Sequence, residues 1–551
     1  MPGSGIDVPA ALSRPAPRRA LLAALLATLL VACTTTPEPD REPPPPTISI
    51  PTALRVGIDE PASIDPARVD STSGLLVISQ AFDGLVATDP ESQAPVPATA
   101  RRWRSLEGGR AFEFTLRSGV TFHDGSAVTA EDFVFAWDRL ADPATHSPYA
   151  FLLEAVSGYR EFHTLRQGSR LTGVQAVDER TLRVDLVRPW TGFPSITAHP
   201  ALSPVPPSAS RLDFDAQPIG NGPYAVSEPW GLGQPILMER YEGYYGDAPS
   251  VDRLEFGVFE RAEEGWSDFL TGDLDVATVP EPSLAAARTT YGEAGVITLA
   301  RLLYCGFNLA LKPFQDGRLR RAVSLAMDRD QLASGVYGEL AVPARAIVPP
   351  SIEGHDRGVC GQSCTPDQVE AARLVSGLPE DRRAFELDVI SSAAGERLAA
   401  ALVDQLETVG LEITPRLLDE EAYGGLLQRG RQQAFCLVWD ADGATQQGML
   451  EPLLATGSPD NHSKVHSPRI DKALGRGRAA RTDAARIEAF AEAERIALEI
   501  LPVIPVAWFR SHLAVQPYVR GFSLDPLGLF DVSAIELLPE DATPDPGPSA
   551  S

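Results

Sequence analysis

The chain has 551 residues, of which 44% are hydrophobic and 22% are charged, so it can bury a large core and exceeds one average domain. Its formal net charge of −26 argues against nucleic-acid binding, because a phosphate backbone is recognised by a basic surface. Five cysteines are too few for the chain to be organised as a disulfide scaffold.

The N-terminus has the pattern of a sorting signal. Three arginines precede an apolar run over residues 20–32 that is too short to span a bilayer, which predicts a signal peptide over residues 1–32. The run ends in Leu-Val-Ala-Cys at Cys33, which resembles a bacterial lipobox. That resemblance implies cleavage before Cys33 and lipid attachment to its thiol; the alternative is a cysteine that ends a signal core by chance.

Two segments have compositions that cannot pack a core. Residues 34–49 contain almost no apolar side chains and include a run of four prolines, so residues 33–52 are predicted to be a tether that carries the lipidated cysteine. Residues 539–551 are rich in proline and serine and are predicted to be a disordered tail.

A strand, a turn and a helix are predicted over residues 111–143. Phe112, Phe114 and Leu116 alternate with polar residues, which is the period of a half-buried strand. An Asp-Gly pair follows as a turn. Thr129 with Asp132 three residues later forms a capping-box pattern for the next helix.

Strand and helix patterns continue along the rest of the chain. The last third alternates helices with strands, which predicts layered α/β structure. The predicted strands are residues 54–58, 181–187, 236–241, 254–259, 385–390, 411–417, 435–439 and 503–508, and the predicted helices are residues 75–82, 366–376, 395–409 and 482–500.

Residues 116–132, LRSGVTFHDGSAVTAED, resemble the signature of the family 5 extracellular solute-binding proteins. Members of this family are receptors of ABC importers for peptides, nickel and related solutes. Further segments match the family in the same order along the chain: residues 64–66 (IDP), 82–85 (FDGL), 218–224 (PIGNGPY), 272–276 (GDLDV) and 306–329. For the glycine-rich residues 218–224 we favour a turn or hinge without ligand contact.

The resemblance implies an α/β fold of two lobes, similar to periplasmic binding proteins of class II, with an extra domain inserted in the N-terminal lobe. The implied organisation is lobe I in residues 53–82, 205–304 and 509–538, the inserted domain in residues 83–204, and lobe II in residues 305–508.

The cleft motifs resemble the oligopeptide-binding branch of the family. Residues 147–150 (SPYA) place Tyr149 at the position of a peptide contact, and residues 438–442 (VWDAD) place Asp442 at that of the carboxylate pairing with the peptide α-ammonium. A charged amine in a closed cleft requires such a fixed carboxylate. Trp439 would supply a flat wall for a side chain of the peptide. Asp440 is the alternative to Asp442 as the carboxylate that pairs with the α-ammonium group. Asp70, Ser71 and Thr72 fall where the branch lines its pocket.

The chain departs from this branch at two places. The branch carries a basic residue three positions before its tryptophan, where this chain has Cys436, and residues 443–447 (GATQQ) replace the usual segment. Cys360 and Cys364 flank a short loop and can form a disulfide. Cys305 and Cys436 either form a disulfide or remain buried thiols.

Enzymatic motifs are absent from the sequence. None of the lysines follows a glycine, so there is no GxxxxGK[ST] loop, and neither HExxH nor GxSxG occurs. His462 and His466 are four residues apart, but the following Ser-Pro favours a surface loop over a metal-binding helix. We therefore predict no catalysis, no cofactor and no metal site.

These observations predict a lipid-anchored receptor on the outer face of the membrane. It would capture peptides between two lobes and deliver them to the permease and ATPase of an ABC importer, and it would be a monomer that binds no nucleic acid. One alternative is the same receptor class for a nickel chelate, haem or a sugar. The other is a sensor or interaction lipoprotein.

Overall fold

The structure is a computed structural model and describes residues 52–89, 94–210, 213–441 and 443–539. The predicted signal peptide, Cys33, nearly all of the tether and nearly all of the tail lie outside these ranges, as does Asp442. Among the described residues, no helix combines the length and apolar character that crossing a membrane requires.

The strands of the described chain are mostly short. In chain order they are Ala53–Asp59 (β1), Val86–Thr88 (β2), Pro95–Pro97 (β3), Ala100–Leu106 (β4), Ala111–Leu116 (β5), Val174–Asp178 (β6), Thr181–Asp185 (β7), Tyr224–Val226 (β8), Ile236–Arg240 (β9), Arg253–Phe259 (β10), Val276–Thr278 (β11), Thr298–Phe307 (β12), Ala341–Pro343 (β13), Ala384–Ile390 (β14), Glu412–Leu418 (β15), Ala434–Asp440 (β16), Val503–Arg510 (β17), Leu513–Val515 (β18), Val519–Arg520 (β19) and Glu536–Leu537 (β20).

The α-helices concentrate in the second half of the chain. In chain order they are Thr72–Ala81 (α1), Ala130–Ala141 (α2), Phe193–Ile196 (α3), Ala262–Thr271 (α4), Leu284–Tyr291 (α5), Lys312–Gln315 (α6), Gly317–Ala326 (α7), Arg329–Tyr337 (α8), Gln368–Ser376 (α9), Ala393–Glu407 (α10), Glu420–Gln428 (α11), Gln446–Leu454 (α12), Pro468–Ala479 (α13) and Asp483–Ile500 (α14). The helices and strands predicted from periodicity are all present, with ends shifted by at most a few residues.

The first sheet joins strands from the start, the middle and the end of the described chain. Its order is β18-β11-β1-β10-β9-β8. The central strand β1 runs parallel to β10 and β11, whereas β9 and β18 pair antiparallel to their neighbours. A strand that is buried between two neighbouring strands has a mostly apolar sequence, and the segment from Leu54 to Ile58 fits this pattern.

A separate antiparallel sheet, β4-β5-β7-β6, carries the strand–turn–helix segment. Phe112, Phe114 and Leu116 of β5 are buried, which confirms the alternation read from the sequence. The backbone N–H of Thr129 donates to Oδ2 of Asp132 at 2.7 Å and so caps the start of α2. The helix buries Trp137, whose Nε1–H donates to the carbonyl oxygen of Leu202 at 2.8 Å.

The second large sheet has the order β13-β17-β12-β16-β14-β15. β14 pairs parallel to β15 and β16, and β12 pairs antiparallel to β16 and β17. Helices α7 to α14 pack against this sheet in a core separate from that of the first sheet. The two large sheets with their helices therefore form the two lobes of an α/β fold.

Helix α14 buries a carboxyl group in the core of the second lobe. Glu494 is fully buried, and its Oε1 accepts the backbone N–H of Ile347 at 2.6 Å and of Val348 at 3.0 Å. Its Oε2 has no hydrogen-bond partner in the described protein. Burial outweighs the two hydrogen bonds and raises the pKa of Glu494 from 4.5 to about 7.

Glu494→Gln is expected to remove part of the pH dependence of stability. Because the folded-state pKa is raised, the native protein holds this proton more tightly than the unfolded chain does. The stability that the proton confers is complete below about pH 4.5 and is lost as pH rises through about 7. In urea titrations, the variant should gain stability relative to the wild type between pH 5 and pH 8. A difference that does not change with pH would contradict this assignment.

Candidate ligand-binding site

A cavity of about 1190 Å³ lies between the two lobes. One wall comes from residues 79–88, the residues around Trp190 and His199, and the loop around Asp525. The opposite wall comes from residues 443–448 and helices α12, α13 and α14. The volume lies just above the range of about 300–1,000 Å³ that is usual for small-ligand sites.

The described residues that line the cavity carry more carboxylates than cations. The nine carboxylates exceed the four guanidinium groups by five, so the lining has a formal charge of −5 with His199 neutral. These charged residues are Asp83, Glu154, Asp247, Glu353, Glu451, Asp460, Asp471, Asp525 and Asp531 on one side and Arg117, Arg188, Arg478 and Arg486 on the other.

The arginines of the cavity wall are engaged by protein groups. Arg188 pairs with Glu154 at 2.7 Å, and Arg478 pairs with Glu451. Arg486 pairs with Asp483 at 2.9 Å, and Nε of Arg117 donates to the carbonyl oxygen of Ala98 at 2.6 Å. The excess negative charge therefore favours a ligand that carries a cationic group.

Asp83 is a carboxylate of the cavity wall that is held by hydroxyl groups. Its Oδ2 accepts from the hydroxyl of Tyr244 at 2.9 Å and of Tyr245 at 2.7 Å. Burial raises the pKa of Asp83 to about 6, because its effect is larger than that of the two hydrogen bonds, which lower the pKa. Its backbone N–H donates to Oδ1 of Asn221 at 3.0 Å, which connects Asp83 to the glycine-rich residues 218–224.

The glycine-rich residues form a packed turn. An added Cβ at Gly220 would lie 1.9 Å from the carbonyl oxygen of Ala81, so only glycine permits this close approach of the two backbones. The Asn221 amide donates to the Thr99 hydroxyl at 3.0 Å and to the carbonyl oxygen of Asp83 at 3.1 Å. The motif forms a close-packed bend at residues 221–223, and its Pro223 lines the cavity, so the absence of ligand contact stays a prediction.

Tyr149 lies next to the cavity wall. Its half-buried ring is 4.6 Å from the ring of His199 and 6.3 Å from that of Phe151, measured between centroids. Both neighbours line the cavity. Burial lowers the pKa of His199 to about 4, so the imidazole is neutral near pH 7.

Trp439 and Asp440 end strand β16, and neither is among the described residues that line the cavity. The half-buried indole of Trp439 donates from Nε1 to the carbonyl oxygen of Gly448 at 3.3 Å, and Gly448 lines the cavity. The exposed carboxylate of Asp440 pairs with Nε of Arg301 at 3.1 Å. Asp442 lies outside the described residues, although the next residue, Gly443, lines the cavity.

The three residues around the start of α1 do not form part of the described cavity lining. Ser71 is the N-cap, and its Oγ accepts the backbone N–H of Gly74 at 3.2 Å. Asp70 and Thr72 are exposed. None of the three is among the described residues that line the cavity, and their role in binding stays a prediction.

Both pairs of cysteines are joined in the structure. Cys305 of β12 and Cys436 of β16 are directly opposed in the sheet and form a disulfide in the core of the second lobe. Cys360 and Cys364 form the second disulfide, in a short 3₁₀ helix. The position at which the oligopeptide-binding branch has a basic residue is therefore occupied by a buried sulfur.

No group of three or more metal-ligating side chains occurs among the described residues. His462 and His466 lie in the loop before α13, as the sequence predicts. His466 is exposed, with Nδ1 3.1 Å from the hydroxyl of Thr456.

The family model of bacterial extracellular solute-binding proteins, family 5 Middle, matches residues 94–461, which is more than half of the chain. The chain belongs to this family. Membership confirms the family predicted from the sequence motifs, and it confirms the prediction of a transport receptor without enzymatic activity.

Relatives of this family 5 protein align over most of their length. The probable deoxycholate-binding periplasmic protein YgiS of Escherichia coli is 29% identical over 84% of this chain and 89% of the relative. The periplasmic oligopeptide-binding protein OppA of Salmonella typhimurium is 27% identical over 86% of this chain and 90% of the relative.

Solved structures of family 5 proteins share the fold. The complex of Haemophilus influenzae OppA with RPPGFSPFR has a TM-score of 0.70 at 25% identity, and covers 89% of this chain and 100% of that chain. The unliganded open form of the murein tripeptide-binding protein MppA has a TM-score of 0.75 at 24% identity, over 89% and 98% of the two chains. The predicted two-lobed periplasmic-binding-protein fold is confirmed.

Most residues of the cavity wall have no motif in the sequence that predicts them. The Arg478–Glu451 pair joins α12 to α13, and Asp83 belongs to the FDGL segment that resembles the family. No local signal marks these residues, because Glu451 and Arg478 are 27 residues apart and Asp83 and Tyr244 are 161 residues apart, so that each pair meets only in the folded protein.

Proposed function

We propose that this protein is a lipid-anchored receptor of an ABC importer that captures short peptides between its two lobes. The observation that carries the proposal is the acidic cavity between the lobes. A peptide brings an α-ammonium group to such a site, and the excess carboxylates offset the cost of removing that cation from water. Relatives named as oligopeptide-binding proteins support the same ligand class.

The binding mechanism follows from the position of the cavity. A ligand enters while the lobes are apart and becomes enclosed when they rotate together. Backbone hydrogen bonds would hold an extended peptide independently of its side chains. The closed receptor would then present the ligand to the permease. Cys33 would hold the monomeric receptor on the outer face of the membrane, and no cofactor is required.

Asp442 is the proposed anchor for the ammonium group, from its position in the VWDAD motif. The Asp442→Ala variant is expected to bind trialanine about 10- to 100-fold more weakly than the wild type, as measured by titration calorimetry, because a charge-assisted hydrogen bond is lost. N-acetyl-trialanine should bind the wild type with a similar loss, and the two losses should not add. Asp440→Ala is the matched control, since Asp440 pairs with Arg301.

Native mass spectrometry of the protein purified without denaturation tests the ligand class directly. Masses that fit short peptides would support the proposal. Peptides that remain bound in Asp442→Ala would preserve the function and overturn the anchor. A protein that carries metal or haem, or no ligand at all, would contradict peptide capture and favour the alternatives of another solute or a sensor lipoprotein.

A bile salt is a second candidate ligand, because the relative YgiS is described as probably deoxycholate-binding. Deoxycholate is an anion, and the cavity-lining arginines are already engaged by carboxylates or carbonyl oxygens. Tight binding of deoxycholate without binding of trialanine would select this candidate.

A further inference from the structure

A short arm from the first-lobe side of the cavity reaches across to the second lobe. The Nε1–H of Trp190 donates to Oε1 of Gln447 on α12 at 2.8 Å. The backbone N–H of Thr191 donates to the carbonyl oxygen of Arg478 on α13 at 2.9 Å. The hydroxyl of Thr191 lies 2.6 Å from the carbonyl oxygen of Ala480 and 2.9 Å from that of Arg478.

The acceptors of Thr191 are the last carbonyl groups of helix α13. These groups have no partner within their own helix, because the chain beyond them is not helical. Thr191 supplies the missing donors from the other lobe and so caps the helix C-terminus. When the lobes separate, these carbonyls must be hydrated instead.

On the second lobe, the groups that accept the hydrogen bonds of Trp190 and Thr191 are connected by side-chain hydrogen bonds and an ion pair. Nε2 of Gln447 donates to Oε2 of Glu451 at 2.7 Å, and Glu451 also pairs with Arg478. The amide that receives Trp190 and the helix end that receives Thr191 are therefore connected through one carboxylate. The hydrogen bond to Glu451 orients the Gln447 amide independently of its contact with Trp190.

The arm itself is anchored in the core on its own side. Trp190 is only 8% exposed, and its ring packs edge-on against Phe193 at 5.8 Å between centroids. An added Cβ at Gly192 would lie 3.1 Å from Nε1 of Trp190, so the glycine leaves space for the indole to face Gln447. The hydrogen-bond donors of Trp190 and Thr191 are thus held in place by the packing of Trp190 on its own side of the cavity.

We propose that Trp190 and Thr191 form an interlobe latch that holds the two lobes against one another at this side of the cavity and restrains their separation. The latch rests on the lobe movement in the proposed function, but it does not depend on the identity of the ligand. Each latch hydrogen bond is expected to change the ratio of latched to separated protein by about three- to tenfold.

The variants Gln447→Leu and Trp190→Phe test the latch in the ligand-free full-length protein. Spin labels at the exposed positions Val177 and Val369, introduced through a keto amino acid, report the distance between the lobes. Both variants should shift the distances toward longer values, and the double variant should add nothing to either single one. Thr181→Val in β7 is the control, because Thr181 pairs with Thr115 and Asp178 within the antiparallel sheet β4-β5-β7-β6.

Hydrogen exchange at the amide of Thr191 separates a latch from a local packing role. The hydrogen bonds of Thr191 go to Arg478 and Ala480 and not to Gln447. If the lobes open more often, Gln447→Leu should therefore accelerate this exchange by about three- to tenfold. An unprotected Thr191 amide in the wild type would overturn the latch. Unchanged distances together with unchanged exchange in a variant of normal thermal stability would also overturn it. Both readouts work even if the protein binds no peptide.

Discussion

Arg139→Ala is expected to lower the free energy of unfolding by about 3–5 kcal/mol. Nη1 of Arg139 on α2 donates to Oδ1 of Asp65 at 2.6 Å, and Nη2 pairs with Oδ2 of the same carboxylate. Asp65 is 1% exposed and Arg139 is 14% exposed. Truncating the arginine leaves a buried carboxylate whose remaining donor is the backbone N–H of Ala67 at 3.0 Å.

The exposed ion pair between Arg104 and Glu113 is a control for the buried pair. Arg104→Ala removes the partner of Glu113, but Arg104 is 66% exposed, and such pairs contribute about 1 kcal/mol or less. Urea titration followed by tryptophan fluorescence measures both variants under one condition. Equal losses in the two variants would contradict a special role for the buried pair.

The second large effect is expected from the disulfide between the central strands of the second lobe. Cys305 and Cys436 are 131 residues apart, so their bond restricts a long loop in the unfolded chain. The chain-entropy relation assigns about 5 kcal/mol to a loop of this length and about 2 kcal/mol to a loop of a few residues. The double variant Cys305→Ala/Cys436→Ala should therefore lose about 3 kcal/mol more than Cys360→Ala/Cys364→Ala.

Thermal and urea unfolding of both double variants, each with the other disulfide intact, measure that difference. The short-loop pair is the control, since Cys360 and Cys364 are separated by only 4 positions. A loss for the long-loop variant no greater than that of the control would show that the disulfide does not act through loop entropy.

Local patterns in the sequence predict local structure well. Strand β5 and helix α2 follow directly from the alternation of Phe112 and Phe114 and from the cap at Thr129, because each signal acts within a few residues. The family motifs predict the two lobes, since a long matched pattern carries the topology with it. The fold and the existence of a cleft can therefore be predicted from the sequence.

Contacts between distant residues are the part that the sequence does not reveal. The alternatives for Cys305 and Cys436 stay open in the sequence, because only the register of β12 against β16 places the two residues opposite one another. The partners Asp65 and Arg139 are 74 residues apart, and each residue alone is compatible with a solvated surface position. Asp442, the principal predicted anchor, stays a prediction because it lies outside the described residues.

The first sheet contains strands from distant parts of the chain, and this determines when the protein can finish folding. Strand β18 from near the end of the chain covers the edge of β11, and Val532 and Ile535 are buried in the same core as β1. The second lobe, by contrast, is built from one uninterrupted stretch of chain. In the exported receptor proposed above, the second lobe can fold on arrival, while the first must wait for residues 513–535 to cross. Its unpaired strand edges stay open to aggregation until then.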